Sequence, residues 1–480
     1  MSGNDSNTDT VKRGDSGLAL KAGFWYVIST FLLKCIAFIT IPIFSRLLSK
    51  SDYGEFANYA NWLVTLLIIT GAELYSSLSR AYYDYQEDYD KYISSVTYLT
   101  FFLTAICYIG FLICRPWIFN IVKIPPRYVH ILFFTLLCSA CKALFLTRER
   151  TLYRYKSVAL ISCVDTLFPT VISILLVWMS DDSSRLAMRI FGFYLPSSLI
   201  GFACACILIS KGRSFRIDHC KYALVLSLPL MVHYLTISLL TSTNTIITKN
   251  IGGAELSAEV SMATSVIHIL TILFQALSGA LTTWLMDNLN QNNMAKIRKE
   301  CSFYLAGLVV ISSGVILLAP EFMLILGGAR YASSISLIPG LVLAAYIQTI
   351  TTIFTIILTY DKNVLKTAVF TSIAAVASIA AKVMLFPYYG IQCLPIVNIV
   401  VCSVLFFVNY LLVRGAGYQK AVNVWMYIGS ALFILVLFLF SPTLYANRMI
   451  RYAVSAIGIM GVLTMLYLFK GKIFALLKKR

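Results

Sequence analysis

Apolar runs of about twenty residues, divided by short polar breaks, fill the chain from residue 23 to residue 469. A helix needs about 20 mostly apolar residues to cross a bilayer. Fourteen runs qualify, near 23–45, 56–77, 94–114, 128–147, 158–179, 190–210, 223–247, 258–286, 303–325, 335–360, 367–387, 391–413, 424–441 and 449–469. The pattern predicts an all-α polytopic membrane protein. Within the eighth run Thr264, His268, Thr271, Gln275, Ser278 and Thr282 recur at steps of four, three, four, three and four residues. At about 100° per residue the six share roughly an 80° arc of one helix face. Acyl chains do not solvate such a face without cost, so it is expected to meet protein or a water-filled cavity. A wet interior points to transport.

Composition narrows the class. Hydrophobic residues make up 59% of the chain and charged residues 12%, against about 25% charged in soluble domains. The net charge of +18 is read as positive-inside bias and attraction to anionic lipid, without nucleic acid. With the N-terminus inside, the inner segments hold 25 Lys and Arg and the outer loops 11. Both termini are therefore predicted to be cytoplasmic. Residues 1–22 lack an apolar core followed by a small-residue cleavage site, and read as a disordered cytoplasmic tail. Residues 470–480 read as a basic cytoplasmic tail.

The segment 211–222, with Lys211, Arg213, Arg216 and Lys221, separates six runs from eight. This predicts two six-helix bundles, 23–210 and 223–413, around a central polar cavity, with two additional helices at 424–469. Pro42 in the first run and Pro229 in the seventh are potential kinks. The twelve cysteines lie mostly in apolar runs, and the neighbours His219 and Cys220 do not make a zinc site. With no phosphate loop, no carboxylate pair in a long loop and no metal spacing, neither a catalytic centre nor a cofactor is predicted.

Three motifs carry a family resemblance. Arg46-Leu-Leu-Ser-Lys-Ser-Asp-Tyr-Gly-Glu-Phe-Ala57 follows the first run. Ala319-Pro-Glu-Phe-Met-Leu-Ile-Leu-Gly-Gly-Ala-Arg-Tyr331 continues to Ile338-Pro-Gly-Leu341, and Phe386-Pro-Tyr-Tyr-Gly-Ile391 joins runs 11 and 12. In order and spacing they resemble the Wzx-type flippases of lipid-linked oligosaccharides, within the multidrug/oligosaccharidyl-lipid/polysaccharide exporter superfamily. The motifs themselves read as turns, with Gly54 and Gly390 suited to left-handed backbone and Pro387 ending a helix. The resemblance implies a bacterial inner-membrane protein that exports an undecaprenyl-diphosphate-linked repeat unit for O-antigen, lipopolysaccharide or another glycan. It also implies a downstream polysaccharide polymerase as partner. Family members often carry Asp-Arg near the outer end of span 7, where this chain has Asn244-Thr245.

A carrier for a doubly anionic sugar-lipid head needs hydroxyls, amides and a few cations at mid-depth. Lys34, halfway along run 1 near Ser29 and Thr30, is a candidate diphosphate ligand or a lysine paired for packing. Lys142 and Asp165 lie at matching depth on runs 4 and 5, as a structural pair or as a gate. His233 and His268 are both near mid-depth, as packing residues or as proton carriers. Asn244 shares the His233 face, and run 2 adds Asn58, Asn61 and Thr65 on one side. Glu73, nearer the cytoplasmic end, is expected to pair with a basic loop residue or to couple ions. A second stripe comprises Gln348, Thr352, Thr355 and Thr359, and a third Thr367, Thr371, Ser378 and Lys382. Either lines a cavity or glues helices together. Lys382, near the outer end of its run, is expected to snorkel or to serve as a cavity cation. Arg148, Arg150, Arg154 and Lys156 read as topogenic charges on the inner face.

The favoured reading is a flippase working by alternating access, ion- or potential-coupled, with membrane lipid and lipid-linked oligosaccharide as its partners. By analogy with the peptidoglycan-lipid flippases, runs 13 and 14 would flank a groove for the polyprenyl tail. Two alternatives stay open: a multidrug or toxin antiporter of the same superfamily, and a membrane polysaccharide polymerase. Three intramembrane lysines disfavour cationic cargo, and outer loops of at most about a dozen residues disfavour the polymerase.

Overall fold

The computed structural model describes residues 36, 38–361 and 364–456, without the side chains of 276–280, 283, 364 and 365. Lys34 with Ser29 and Thr30, the side chain of Ser278, both predicted tails and most of run 14 lie outside the described residues.

The described chain is all-α, with no strand. A short helix α1 (Phe38–Leu47) leads into α2 (Lys50–Gly71), which breaks at Ala72–Glu73 and resumes, bent by 50°, toward α3 (Leu78–Asp84). Then follow α4 (Tyr89–Ile113), α5 (Arg115–Val122), α6 (Val129–Thr151), α7 (Tyr155–Met179) and α8 (Arg185–Gly212). The second half holds α9 (Ile217–Gly252), α10 (Ala254–Asn290), α11 (Met294–Leu317), α12 (Ala319–Leu326), α13 (Ile338–Tyr360), α14 (Val364–Tyr389), α15 (Cys393–Gly415) and α16 (Val424–Ala446). A last helical stretch covers 448–456.

Ten described segments are long and apolar enough to cross a membrane, eleven with the bent α2–α3 pair. One of the ten, Lys366–Gly415, is 50 residues long and contains two crossings, α14 and α15, folded back at Gly390 with φ +57°. These account for runs 2 to 13. The protein is a multi-pass membrane protein.

Several boundaries differ from the periodicity. α9 and α10 are 36 and 37 residues long, and at 1.5 Å per residue each exceeds the roughly 30 Å of hydrocarbon. α9 runs on through Pro229, and α14 runs through Pro387 for two residues before it ends. Run 9 divides into α11 and α12, and the short helix α5 lies in what read as a plain loop. Gly54 is helical within α2, so left-handed backbone is not its reason for being glycine.

In the first half, α8 packs against α4, α6 and α7; in the second, α13 packs against α10, α11, α15 and α16. The larger apolar core lies around α13, with Leu270, Leu308, Val342, Ile353, Phe406 and Ile434 buried. Large apolar side chains such as Trp178, Val225, Ile373 and Met384 stay exposed on the periphery, as expected where lipid is the solvent. α2 joins the halves by packing against α6 on one side and α9 and α10 on the other.

Candidate functional site

The accessible face of α13 is polar throughout. Between Ile338 and Thr359 the residues that are not buried are Gln348, Thr349, Thr352, Thr355 and Thr359. All five are polar, and every apolar residue in that stretch is buried. A lipid-facing helix shows the reverse, so this face of α13 is not the kind that acyl chains solvate. On α10, which packs against α13, His268 and Gln275 are exposed and Thr264 and Thr271 half-buried, while Val266, Leu270 and Phe274 are buried. The two stripes are thus accessible faces of neighbouring helices. Several of the threonines hydrogen-bond a carbonyl one turn back, as Thr264 does to Val260 at 2.7 Å, which satisfies the donor and leaves lone pairs to receive a hydroxyl.

α9 and α2 contribute less. His233 is half-buried, Asn61 is half-buried with its amide donating to the Ala57 carbonyl at 2.8 Å, and Asn58 is buried against the Val122 carbonyl at 3.2 Å. Thr65 lies 3.3 Å from Ser238 and joins α2 to α9. Asn244 is buried, with no hydrogen-bond partner for its Oδ1.

The third stripe is different. Thr367, Ser378 and Lys382 are buried where α14 packs against α9 and α15. Lys382 is 0% exposed, and its Nζ donates to Thr243 Oγ1 at 3.4 Å. The expected snorkel is therefore corrected, because neighbouring helices cover its route to the interface. Lys142 and Asp165 do pair. The ammonium donates to both carboxylate oxygens at 2.7 Å and to Ser197 Oγ at 2.8 Å, and Ser197 donates to Asp165 at 2.7 Å. All three Lys142 donors are consumed, which leaves none for a substrate.

Glu73 is buried and has no ion-pair partner among the described residues, contrary to the expected contact with a basic loop residue. Arg148 is no free surface charge either. It is buried, 2.8 Å from Asp90 and 2.5 Å from Glu149.

Each end of α9 is held to the first half of the chain. At its C-terminal end Lys249 pairs with Glu55, and just beyond it Glu259 of α10 pairs with Lys50. Lys123 donates to the Asn250 carbonyl and the Asn250 amide to Ile121, both at 2.6 Å. Arg330 and Arg185 donate to the carbonyls of Leu48 and Leu47 at 2.7 and 3.0 Å. At the N-terminal end the Arg216 amide donates to Ser95 Oγ at 3.0 Å, His219 Nδ1 lies 3.3 Å from the same hydroxyl, and Tyr222 bonds Asp84. In the adjoining loop the Lys91 ammonium holds the Asp88 carboxyl below its ordinary range. Opposite charges near the ends of runs 2, 7 and 8 were the only sign of the Lys249 and Lys50 pairs in the chain.

The family model described as "Polysaccharide biosynthesis protein" matches residues 19–285, more than half of the chain. The chain belongs to that family. No curated protein sequence matches it. Among solved structures it is similar to the lipid II flippase MurJ in an inward closed conformation, with TM-score 0.70, 15% identity, and coverage of 93% of this chain and 99% of that one. It is also similar to an inward-facing multidrug resistance MATE family transporter of the MOP superfamily, with TM-score 0.61, 14% identity and coverage of 81% and 95%. A MOP superfamily transporter from Pyrococcus furiosus matches with TM-score 0.54, 13% identity and coverage of 83% and 96%. This member of the polysaccharide biosynthesis family therefore has the polytopic fold of MurJ and the MATE transporters. The expected two bundles and two additional helices remain a reading of that fold.

Proposed function

We propose that the protein is a flippase that moves an undecaprenyl-diphosphate-linked oligosaccharide from the cytoplasmic to the outer face of the bacterial inner membrane. The observation that carries this is the α13 face, where every accessible residue from Gln348 to Thr359 is a hydroxyl or an amide. Sugar hydroxyls need such partners, and no covalent step is required. In this reading the α10 and α13 stripes, with Asn61 and His233, line the cavity between two six-helix bundles, and Lys34 supplies a cation for the diphosphate. In the same reading the ion pairs of Lys50 and Lys249 hold the outer end closed while the substrate is loaded from the cytoplasm. The family membership and the MurJ-like fold support a lipid-linked cargo.

The test is made in cells lacking the gene, complemented with wild type or with Lys34→Ala at equal protein level. Lipid-linked sugar trapped on the cytoplasmic face, released by wild type and not by Lys34→Ala, is the expected result. Normal outward delivery in the deletion, with no second flippase present, would overturn the reading. Sensitivity to cationic dyes with intact surface sugar would favour a multidrug antiporter.

A further inference from the structure

Two short helices repeat one another across the halves of the chain. α5 (Arg115–Val122) follows α4, and α12 (Ala319–Leu326) follows α11; each has eight residues with proline at its second position. Proline suits the first turn of a helix, where its missing N–H costs no bond, so it starts a new helix at the end of the span. What the two helices hold is exchanged between the halves. The seventh residue of α5 offers its carbonyl, that of Ile121, to the Asn250 amide at the end of α9, at 2.6 Å. The seventh residue of α12 offers its carbonyl, that of Ile325, to Arg46 at the end of α1, at 3.2 Å. A second bond doubles each clasp. Lys123, just past α5, donates to the Asn250 carbonyl at 2.6 Å, and Ser45 donates to the Leu326 carbonyl.

The outward side of α5 is apolar with a basic edge. Trp117 and Ile121, one turn apart, are 80% and 59% exposed, and Ile113 at the end of α4 is 75% exposed. The opposite side packs into the first half through Ile118, Phe119 and the buried Val122. Arg115, Lys123 and Arg127 are exposed along the edge. No Asp or Glu occurs from residue 91 to residue 148, and none of the three cations is ion-paired among the described residues. Tryptophan on an apolar face with basic neighbours is the pattern of a helix lying in a membrane interface. α12 exposes Leu324 and Ile325 and carries no basic residue.

We infer that α5 is seated in the outer leaflet by anionic phospholipid headgroups on Arg115 and Arg127, and that the seated helix holds α9 in the closed position. The positive edge and the absence of carboxylates on its segment select an anionic headgroup over a zwitterionic one. Arg115 and Arg127 take no part in the clasp, so headgroups reach them without displacing Asn250. α5 packs on α4 and α9, and a headgroup that orders it beforehand removes part of the entropy that clasping Asn250 would otherwise cost. The lipid therefore favours the closed arrangement over the open one, as any ligand that shifts an equilibrium must. "Outer" here is the orientation of the proposed flippase, on which the inference rests.

The experiment uses purified full-length protein in nanodiscs of phosphatidylglycerol or of phosphatidylcholine. Lys50→Cys with Glu259→Cys reports closure by disulfide yield, with the linked peptides identified by mass spectrometry. Yield several-fold higher in phosphatidylglycerol is expected, with the lipid difference lost in Arg115→Gln/Arg127→Gln and in Asn250→Ala. The fluorescence difference between wild type and Trp117→Phe isolates Trp117, and lipids brominated near the headgroup are expected to quench it more than aqueous iodide does. Asn250→Ala should leave that quenching unchanged, because it breaks the clasp and not the anchor. Equal yield in the two lipids overturns the inference. So does higher yield in phosphatidylcholine, which would mean that headgroups capture Lys123 and release α9. Quenching of Trp117 by iodide and not by lipid bromine would place this face in water, free for a protein partner, and overturns it as well. The lipid comparison and the quenching of wild type need no charge variant, so misfolding of one does not decide the matter. Lipid-dependent closure persisting while a deletion strain delivers sugar normally would remove the flippase reading alone. Lost lipid dependence with sugar delivery still requiring the protein would remove the lipid clasp alone.

Discussion

Gly54 of α2 lies so close to Ala254 of α10 that a β-carbon at position 54 would stand 1.8 Å from the Ala254 carbonyl oxygen. Backbone meets backbone here, and the Lys50–Glu259 and Lys249–Glu55 pairs flank the contact. Gly54→Ala must push α2 off α10, an overpacking cost of about 1–3 kcal/mol borne only by the conformation in which these ends touch. Cysteines at positions 50 and 259 report that closure by crosslinking. Yield is expected to fall several-fold in Gly54→Ala at unchanged expression, with transport reduced. Unchanged yield would mean that the two helices accommodate the methyl group and that glycine is not required for closure.

Lys142 and Asp165 form a closed unit with Ser197, which argues for packing over gating. Asp165→Asn leaves an ammonium in a mostly buried site, with 13% of the Lys142 side chain exposed. Removing one partner of such a pair costs about 3 kcal/mol, so a lowered melting temperature is expected. The double replacement Lys142→Met with Asp165→Leu removes both charges and is expected to restore stability and sugar delivery together. If stability returns and delivery does not, at equal protein level, the pair acts in gating.

How far the chain disclosed all this depended on the kind of contact. The α10 and α13 stripes were legible because a helix repeats every 3.6 residues, so Gln348, Thr352, Thr355 and Thr359 had to share a face. Matching depth likewise foretold the Lys142–Asp165 pair. The snorkel open to Lys382 was not realised, since nearness to a span end permits it only where no neighbour closes the route, and Lys382 is buried where α14 packs against α9 and α15. The Gly54–Ala254 contact joins positions two hundred residues apart, and a glycine carries no local mark of what it must admit. Arg451, bonded to Glu321 at α12, shows the same limit: the Ala-Pro-Glu motif identified a family, but its carboxylate fastens the last helical stretch to the second half of the chain.

If the accessible face of α13 lines water, single cysteines along it will alternate in reactivity. Cysteine at 348, 352, 355 or 359 is expected to react with a charged, membrane-impermeant thiol reagent at least tenfold faster than cysteine at 350 or 353. Replacing Gln348 by Leu and Thr352 by Val together should leave the melting temperature nearly unchanged, since neither residue is buried. Sugar delivery should fall about tenfold, the loss expected from one or two hydrogen bonds at about 1 kcal/mol each. Equal reactivity at all six positions would remove the cavity from this face.

Lys382 offers the sharpest separation of stability from function. Its ammonium has three donors, is fully buried, and makes one long bond, to Thr243 at 3.4 Å. No carboxylate pairs with it among the described residues. A charge held this way destabilises the fold, and a methionine fills nearly the same volume without one. Replacing buried charge by a well-packed apolar side chain stabilises by about 1–4 kcal/mol in favourable cases, so Lys382→Met is expected to melt higher than wild type. If the lysine serves only packing, transport survives the change. If it serves transport, the variant will be both more stable and less active, because the cost of the charge is then tolerated for a state in which Lys382 meets an anion. A variant that melts lower than wild type would show instead that the ammonium is already satisfied where it lies.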